Sequence, residues 1–449
     1  MNNTLKYISF ILLLGTSCAT RIIDNSNNMK LTSQGSSRAT AYHDSDKIIN
    51  TKDYLFVTYL EHSNGSEKVI IKRLNKKSSI WDEEYSFNNV KDNHGGATLV
   101  IDSKGFIHII YGSHNSPLSY SKSNEAYSVA SWGELEILKG NFTYPSLAID
   151  KKDNLYLVVR KDVRKSNWSL ELLKRNYTND SWGSGKTILV SNYMNWRNKS
   201  FKEEDFSVSN GYVRFGKYLS ISESNTLHLT FHYFEYVPKG IKTFSNIKNN
   251  TSTYLVGHIF SEDGGNTWMG DNKSVAKENL QISEVNLIDG NFNPELAKSN
   301  FSAGQHVTDG SKIYFLYSKH YGKYTKQFIA SSDYPYKSWN KYEIVHPNFY
   351  LRVPGNIALK RDTLFFNLNA IPKDIADNRL GRDLSLHSKI ITGKINTDLK
   401  GNLDFFENYN VQYPSWLPQM SKYGEDLWIM FTQGKRNSNS TSVHTIKIH

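Results

Sequence analysis

Four side chains, His94, His114, Tyr144 and Arg160, are spaced so that two hairpins can bring them to one place. Two imidazoles and a phenol can give and take protons, and a guanidinium is a fixed cation for an anion. The turn Ile101-Asp102-Ser103-Lys104-Gly105 aligns with Ile149-Asp150-Lys151-Lys152-Asp153, and each pair is symmetric about its turn, at Lys104 and Lys152. His94 is therefore expected opposite His114, and Tyr144 opposite Arg160, across two antiparallel strands. Such neighbours hold their Cβ atoms roughly 4.5–5.5 Å apart. The pairs are offset by two residues on each strand, so side-chain alternation keeps all four on equivalent faces.

The strands that must hold these residues belong to a repeat. Seven segments share a plan: a short strand, an Asp/Gly/Asn turn, an apolar strand with a polar end, a third strand, and often a tryptophan before a fourth. The second strands mark it best, at 54–59, 106–111, 155–160, 227–232, 313–317, 364–368 and 427–431. A repeat of roughly 58 residues exceeds a minimal propeller blade and leaves room for inserted loops. The fold expected is all-β, a seven-bladed β-propeller over residues 38–449, with the stretch before Tyr54 completing the last blade. A count of six or eight stays open, because the first unit is faint and the sixth carries an insertion around Pro372–Leu386. Ser261-Glu262-Asp263-Gly264-Gly265-Asn266-Thr267-Trp268 matches the Asp box of sialidase-like propellers, a turn motif that marks fold and carries no catalysis. Ser332-Asp333 through Trp339 is a degenerate copy. In this plan His94 and Tyr144 open first strands, and His114 and Arg160 end the strands that follow, at the mouth of the central funnel. His108 alternates into the interior and reads as structural.

Composition agrees with strands and with an acidic partner. Aromatics make up 13% of the chain, and Lys+Arg 54 against Asp+Glu 43 gives a net charge of +11. Near the N-terminus Lys6 precedes the apolar run Tyr7–Leu14, then Gly15-Thr16-Ser17 and the single cysteine, Cys18. Residues 1–17 read as a signal peptide and 18–37 as a polar tether. The ending resembles a bacterial lipoprotein box with Gly15 where leucine is usual, which implies lipidation of Cys18. The expectation is an exported protein, anchored to the outer membrane or cell surface, or otherwise secreted, with no disulfide available.

The stretch Asp92-Asn93-His94-Gly95-Gly96 through His114-Asn115-Ser116-Pro117-Leu118-Ser119-Tyr120, followed by Thr143-Tyr144-Pro145 and Arg160, resembles the propeller-fold ulvan lyases of polysaccharide lyase families 24 and 25, closest in spacing to family 25. Two histidines twenty residues apart, then a tyrosine and an arginine sixteen residues later, carry the likeness, within roughly residues 90–162. The resemblance implies β-elimination of a sulfated rhamnose and uronic acid polysaccharide, leaving a 4,5-unsaturated uronate. Removing the C5 proton beside a carboxylate develops further negative charge, which a cation must offset, and Arg160 is the expected clamp. His94 and Tyr144 form the acid/base pair, with the two roles exchangeable, and His114 orients His94 or binds the carboxylate. Asn93, Asn115 and Lys161 flank the four as candidates for sugar hydroxyls or sulfates. Gln305-His306, Tyr317, His320 and Arg352 fall at comparable ends of later units as further subsites.

No cofactor is called for, no His/Cys/Asp grouping has metal spacing, and a structural ion stays open. The expected partner is an anionic sulfated polysaccharide, with a membrane reached through the lipid anchor, no nucleic acid, and a monomeric chain. Two rival classes remain. A sialidase-like glycoside hydrolase needs an arginine triad, for which Arg160, Arg214 and Arg352 are available, and a Tyr/Glu pair. A non-catalytic glycan-binding surface lipoprotein needs only the basic face.

Overall fold

A computed structural model describes residues 21–22, 28–88, 90–163, 168–192, 196, 199–205, 213–244, 251–270, 276–321, 324–376, 386–407, 414–422, 424–435 and 438–448. The signal peptide and Cys18 lie outside the described residues. Among the described residues no helix is long and apolar enough to cross a membrane.

The chain is all-β, and its apolar runs explain why. Ile107–Tyr111 is buried at every position, as is Leu427–Gln433, so these strands are covered on both faces and need no alternation. Successive strands form antiparallel meanders. Val213–Ile221, Leu227–Tyr236, Thr251–Ser261 and Asn286–Gly290 pair in that order, and so do Asn300–Asp309, Lys312–Tyr321, Tyr324–Asp333 and Asn340–Ile344. Elsewhere two meanders fuse into one sheet. The long strand Glu136–Ile149 pairs with His114–Lys122 and, over its second half, with Leu155–Lys161.

Asn28–Gly35, which polar composition assigned to the tether, is a strand paired with Thr441–Ile448, and at Gly35 it also meets Glu61. Its hydroxyls and amides gave no apolar signal, yet backbone pairing needs none. The stretch before Tyr54 thus joins the last strands to the first, as expected.

The opening strands of the meanders form a closed circuit. Ile48–Asn50 contacts Thr98–Ile101, which contacts Glu136–Ile149; Val213–Ile221, Asn300–Asp309, Phe349–Lys360 and Ser415–Met420 follow, and Leu427–Gln433 returns to Ile48–Asn50. An apolar layer fills the space between neighbours all the way round. Phe56 and Ile71 pack on Leu99 and Ile109, Val158 and Leu172 on Phe215 and Leu229, Leu316 and Ile329 on Ile357 and Phe366, and Trp428 and Met430 on Leu55 and Val57. Each fully buried aliphatic or phenylalanine side chain contributes about 1.5–3 kcal/mol relative to exposure. This radial packing of meanders is a β-propeller.

Residues 36–47 run through the middle of the circuit, where they are tied to opening strands on several sides. Gln419 donates to the Thr40 carbonyl (2.7 Å), Gln305 to the His43 carbonyl (3.0 Å), the Lys217 amide to Asp44 Oδ1 (2.8 Å), and the Leu99 amide to the Asp46 carbonyl (3.0 Å). The Asp box behaves as its motif implies. Asp263 accepts from the amides of Asn266 and Thr267 and from the Thr267 hydroxyl, while Gly264 and Gly265 take positive φ and Trp268 is buried between meanders.

Candidate active site

Backbone register brings the first histidine pair together as predicted. Val100 pairs with His108 and Thr98 with Ile110, both symmetric about Lys104, and the same symmetry continued outward sets His94 against His114. Their rings stack with centroids 3.9 Å apart and planes at 20°.

Asp92 explains the stacking. Its Oδ1 accepts from His94 Nδ1 at 2.9 Å and its Oδ2 from His114 Nδ1 at 2.6 Å, while the His94 amide also donates to Oδ1. Burial works to raise the Asp92 carboxyl, but hydrogen bonds from His114 and from the His94 amide outweigh it and hold the group below the usual carboxylate range. An ionised carboxylate only accepts, so both histidines carry their proton on Nδ1 and present Nε2 as a lone pair. Burial, then the positive charges of Arg38 and His114, push His94 down to about 4, so it is neutral over the whole near-neutral range.

The second pair departs from expectation. Ser146 opposes Val158, but beyond a bulge Thr143 opposes Arg160, one position out of the predicted register. Tyr144 sits in the bulge with φ of 58°, just before Pro145. Proline has no amide hydrogen to give the ladder, and the extra residue re-aims the neighbouring side chain. Tyr144 thereby packs edge-on to Tyr42, with centroids 5.1 Å apart, and within 6.5 Å of the His94 ring.

Arg160 is enclosed, with none of its surface exposed, and does not line the mouth as expected. It donates to the Val213 carbonyl (3.1 Å), Asn115 Oδ1 (2.7 Å) and Thr143 Oγ1 (3.2 Å), and it lies 5.1 Å from the Tyr144 ring and 5.0 Å from that of Trp168. The strand end that looked open is covered because Tyr144 and Trp168 close over it.

Of the flanking candidates, Asn93 donates to Ser37 Oγ (2.8 Å), Asn115 is held by Thr143 and Arg160, and the partly exposed Lys161 pairs with buried Glu171 (3.3 Å). His306 is a correction. It is wholly buried between Ser220 (2.6 Å) and Thr230 (2.7 Å), because its strand bulges between Ala303 and His306 and turns the ring into the core. Gln305 is drawn into the central channel and Tyr317 is sealed against Asp289. Arg352 stays partly exposed and belongs to a meander farther round, near His320. His108 is buried between Tyr120 and Asp102, the structural place expected of it.

Three site residues came from outside the hairpins that the spacing singled out. Arg38 Nη1 donates to His94 Nε2 at 2.5 Å and also to the Tyr42 hydroxyl. Tyr42 stacks on His94 (6.0 Å), and Arg214 lies over both Tyr42 (5.0 Å) and Tyr144 (4.7 Å). Arg38 and Tyr42 belong to the central segment, which has no strand periodicity to flag it; Arg214 opens a strand in a different meander.

Asp92, His94 and His114 also bring one donor atom each within 4.8 Å of one another, the arrangement among the described residues nearest to a metal set. Here both imidazole Nδ1 atoms are engaged by the carboxylate, so the trio works as a hydrogen-bonded unit. A tyrosine–glutamate pair does form, Tyr254 donating to Glu235 at 2.6 Å and Tyr233 at 2.8 Å, but all three residues are sealed in the core.

The model of the BNR repeat-containing family matches residues 54–346, well over half of the chain. The chain belongs to the BNR repeat-containing family. Among individual members it is similar to an ulvan lyase of Alteromonas sp. (strain LOR), 23% identical over 137 residues, and to the "Ulvan Lyase-PL25" of Pseudoalteromonas sp. (strain PLSV), 24% identical over the same length. Each match covers 25% of this BNR-family chain and 28% of the relative, so the chain spans less than a third of these relatives' length. Its fold matches a solved PL25 ulvan lyase bound to -[GlcA(1-4)Rha3S]-, with a TM-score of 0.68 at 12% identity, covering 93% of this chain and 95% of that one. The shared fold is the β-propeller.

Proposed function

We propose that this chain is a polysaccharide lyase that cleaves ulvan by β-elimination. The observation that carries the reading is the Asp92-anchored histidine pair: two partly exposed imidazoles with fixed tautomers, beside a tyrosine and among guanidinium groups. A neutral imidazole lone pair takes the C5 proton, the C5 electrons form the C4–C5 double bond, and the C4–O4 bond breaks with a proton delivered to O4. His94 fits the base and Tyr144 the acid, with His114 held in the same tautomer beside them. Asn93, Asn115, Lys161 and Arg352 remain candidates for hydroxyls or sulfates at the rim. The names of two relatives and the disaccharide repeat held by a protein of the same fold point to the same polymer.

A glycoside hydrolase is less well supported. It needs an accessible tyrosine–glutamate pair, and Glu235 with its two tyrosines is sealed in the core. Seven blades is the count we favour, because splitting the eight- and nine-stranded sheets where two meanders fuse gives seven meanders round the circuit. Export, lipidation of Cys18, a monomeric state and the absence of a cofactor are retained as proposals on the sequence features given above. The test is incubation of the purified chain with ulvan: growth of the ultraviolet absorbance of an unsaturated uronate supports the lyase. Saturated reducing sugars would support the hydrolase, and retention of uncut polymer would support a binding protein.

A further inference from the structure

His94 cannot act as a base in the empty site, because its only lone pair is already engaged. With Nδ1–H committed to Asp92, Nε2 is the sole acceptor, and Arg38 Nη1 sits on it at 2.5 Å. A guanidinium cannot give up its charge, so this contact ends only when a stronger acceptor draws the group away. An anion does so readily, since charge-assisted bonds to a carboxylate are roughly twice as strong as bonds to a neutral acceptor and can be bidentate. In a uronate the carboxyl group is attached to C5, the carbon whose proton is removed. A carboxylate received by Arg38 therefore carries that proton to within one bond of the place Arg38 has just left.

We propose that Arg38, and not the enclosed Arg160, receives the substrate carboxylate, and that its contact with His94 is a cap which the substrate itself removes. This rests on the lyase reading above. Arg38 is partly exposed, lies against the Tyr42 ring at 5.6 Å and shares the Tyr42 hydroxyl, so it has a second resting place on leaving His94. Arg160 cannot substitute without breaking its bonds to Val213, Asn115 and Thr143. The arm at residues 36–47 then does more than fill the channel: it carries a catalytic group to a pocket formed by other meanders.

The test compares ulvan oligosaccharides with the same oligosaccharides after reduction of their carboxyl groups, by equilibrium binding and by formation of unsaturated product. The wild-type chain is expected to prefer the carboxylate form by about tenfold or more, the size of a hydrogen-bonded interaction with a charged group. Arg38→Ala should bind both forms alike and form product at least about a hundredfold more slowly. Arg38→Lys should recover part of the binding preference and little of the rate, and added guanidinium ion should restore part of the rate to Arg38→Ala. Thermal midpoints establish that each variant is folded. An active wild type with an equally active Arg38→Ala that keeps the carboxylate preference overturns this inference alone. A wild type that yields no unsaturated product overturns the lyase reading and the inference with it.

Discussion

The protein holds two histidine clusters built from the same side chain to opposite ends. At the rim, His94 and His114 stack on each other, share a carboxylate, and keep about a fifth to a quarter of their side chains exposed. In the core, His228, His258 and His306 sit together with no exposed surface, and their printed polar partners are hydroxyls and each other: His228 to His258 at 3.2 Å, His306 to Ser220 and Thr230. Burial drives all three core imidazoles down, His228 to about 3. What separates the clusters is the carboxylate. Asp92 fixes which nitrogen of each rim ring carries the proton and leaves a lone pair facing outward. The core rings are neutral because charge is unaffordable there.

The comparison breaks most sharply through Asp92. Asp92→Asn should lower kcat by about 10²–10⁴-fold, the range of general acid–base catalysis, because an amide donor facing Nδ1 forces the other tautomer on at least one ring. Its thermal midpoint should stay near that of the wild type, since the residue is partly exposed. His94→Ala and Tyr144→Phe should lose a comparable factor in product formation with the fold intact. Normal turnover in any of the three would detach the rim cluster from the chemistry.

Arg160→Ala should reverse the balance. The change strips the Asn115 side chain and the Val213 carbonyl of a buried donor, at about 1–3 kcal/mol for each group left unpaired, and unfolding by urea should register the loss. Activity falls with it because Arg160 supports Tyr144 and Thr143. His306→Ala in the core should likewise cost about 2–5 kcal/mol in stability while leaving KM for the polymer unchanged.

Acid should separate the clusters by titration. Each core histidine binds a proton in the unfolded chain below about pH 6.5 but not in the folded one, so the stability it allows is full above that value. It declines as pH falls from 6.5 toward about 3 for His228. At about pH 5 the loss amounts to roughly 2 kcal/mol per histidine. Denaturant midpoints measured across this range should fall for the wild type and flatten for His258→Gln; a slope unchanged in the variant would mean that other groups govern acid sensitivity. The smallest effect is expected at the Asp box, where Asp263→Ala removes a turn cap worth about 1 kcal/mol and should leave catalysis untouched.

Much of this was legible before the structure, and for a physical reason. A hairpin's register follows from its turn, so the symmetry of His94 and His114 about Lys104 was enough to stack them. The same rule failed at Tyr144, because Pro145 inserts a bulge and periodicity assumes an unbroken ladder. Alternation also distinguishes faces but not depth: Arg160 and His306 end up enclosed because residues distant in sequence close over them. Arg38 and Tyr42 had no signal at all, since a segment threaded through the channel follows neither the strand nor the helix period. Asp92 stood in the quoted motif, but its role depends on reaching two rings at once, which only coordinates reveal.

The most direct measurement is the ultraviolet absorbance of ulvan digests, taken in parallel for the wild-type chain and for Asp92→Asn. The account predicts steady growth of the unsaturated-uronate band with the wild type and a rate reduced by about 10²–10⁴-fold with the variant. Saturated products from the wild type, or equal rates from the two proteins, would contradict it.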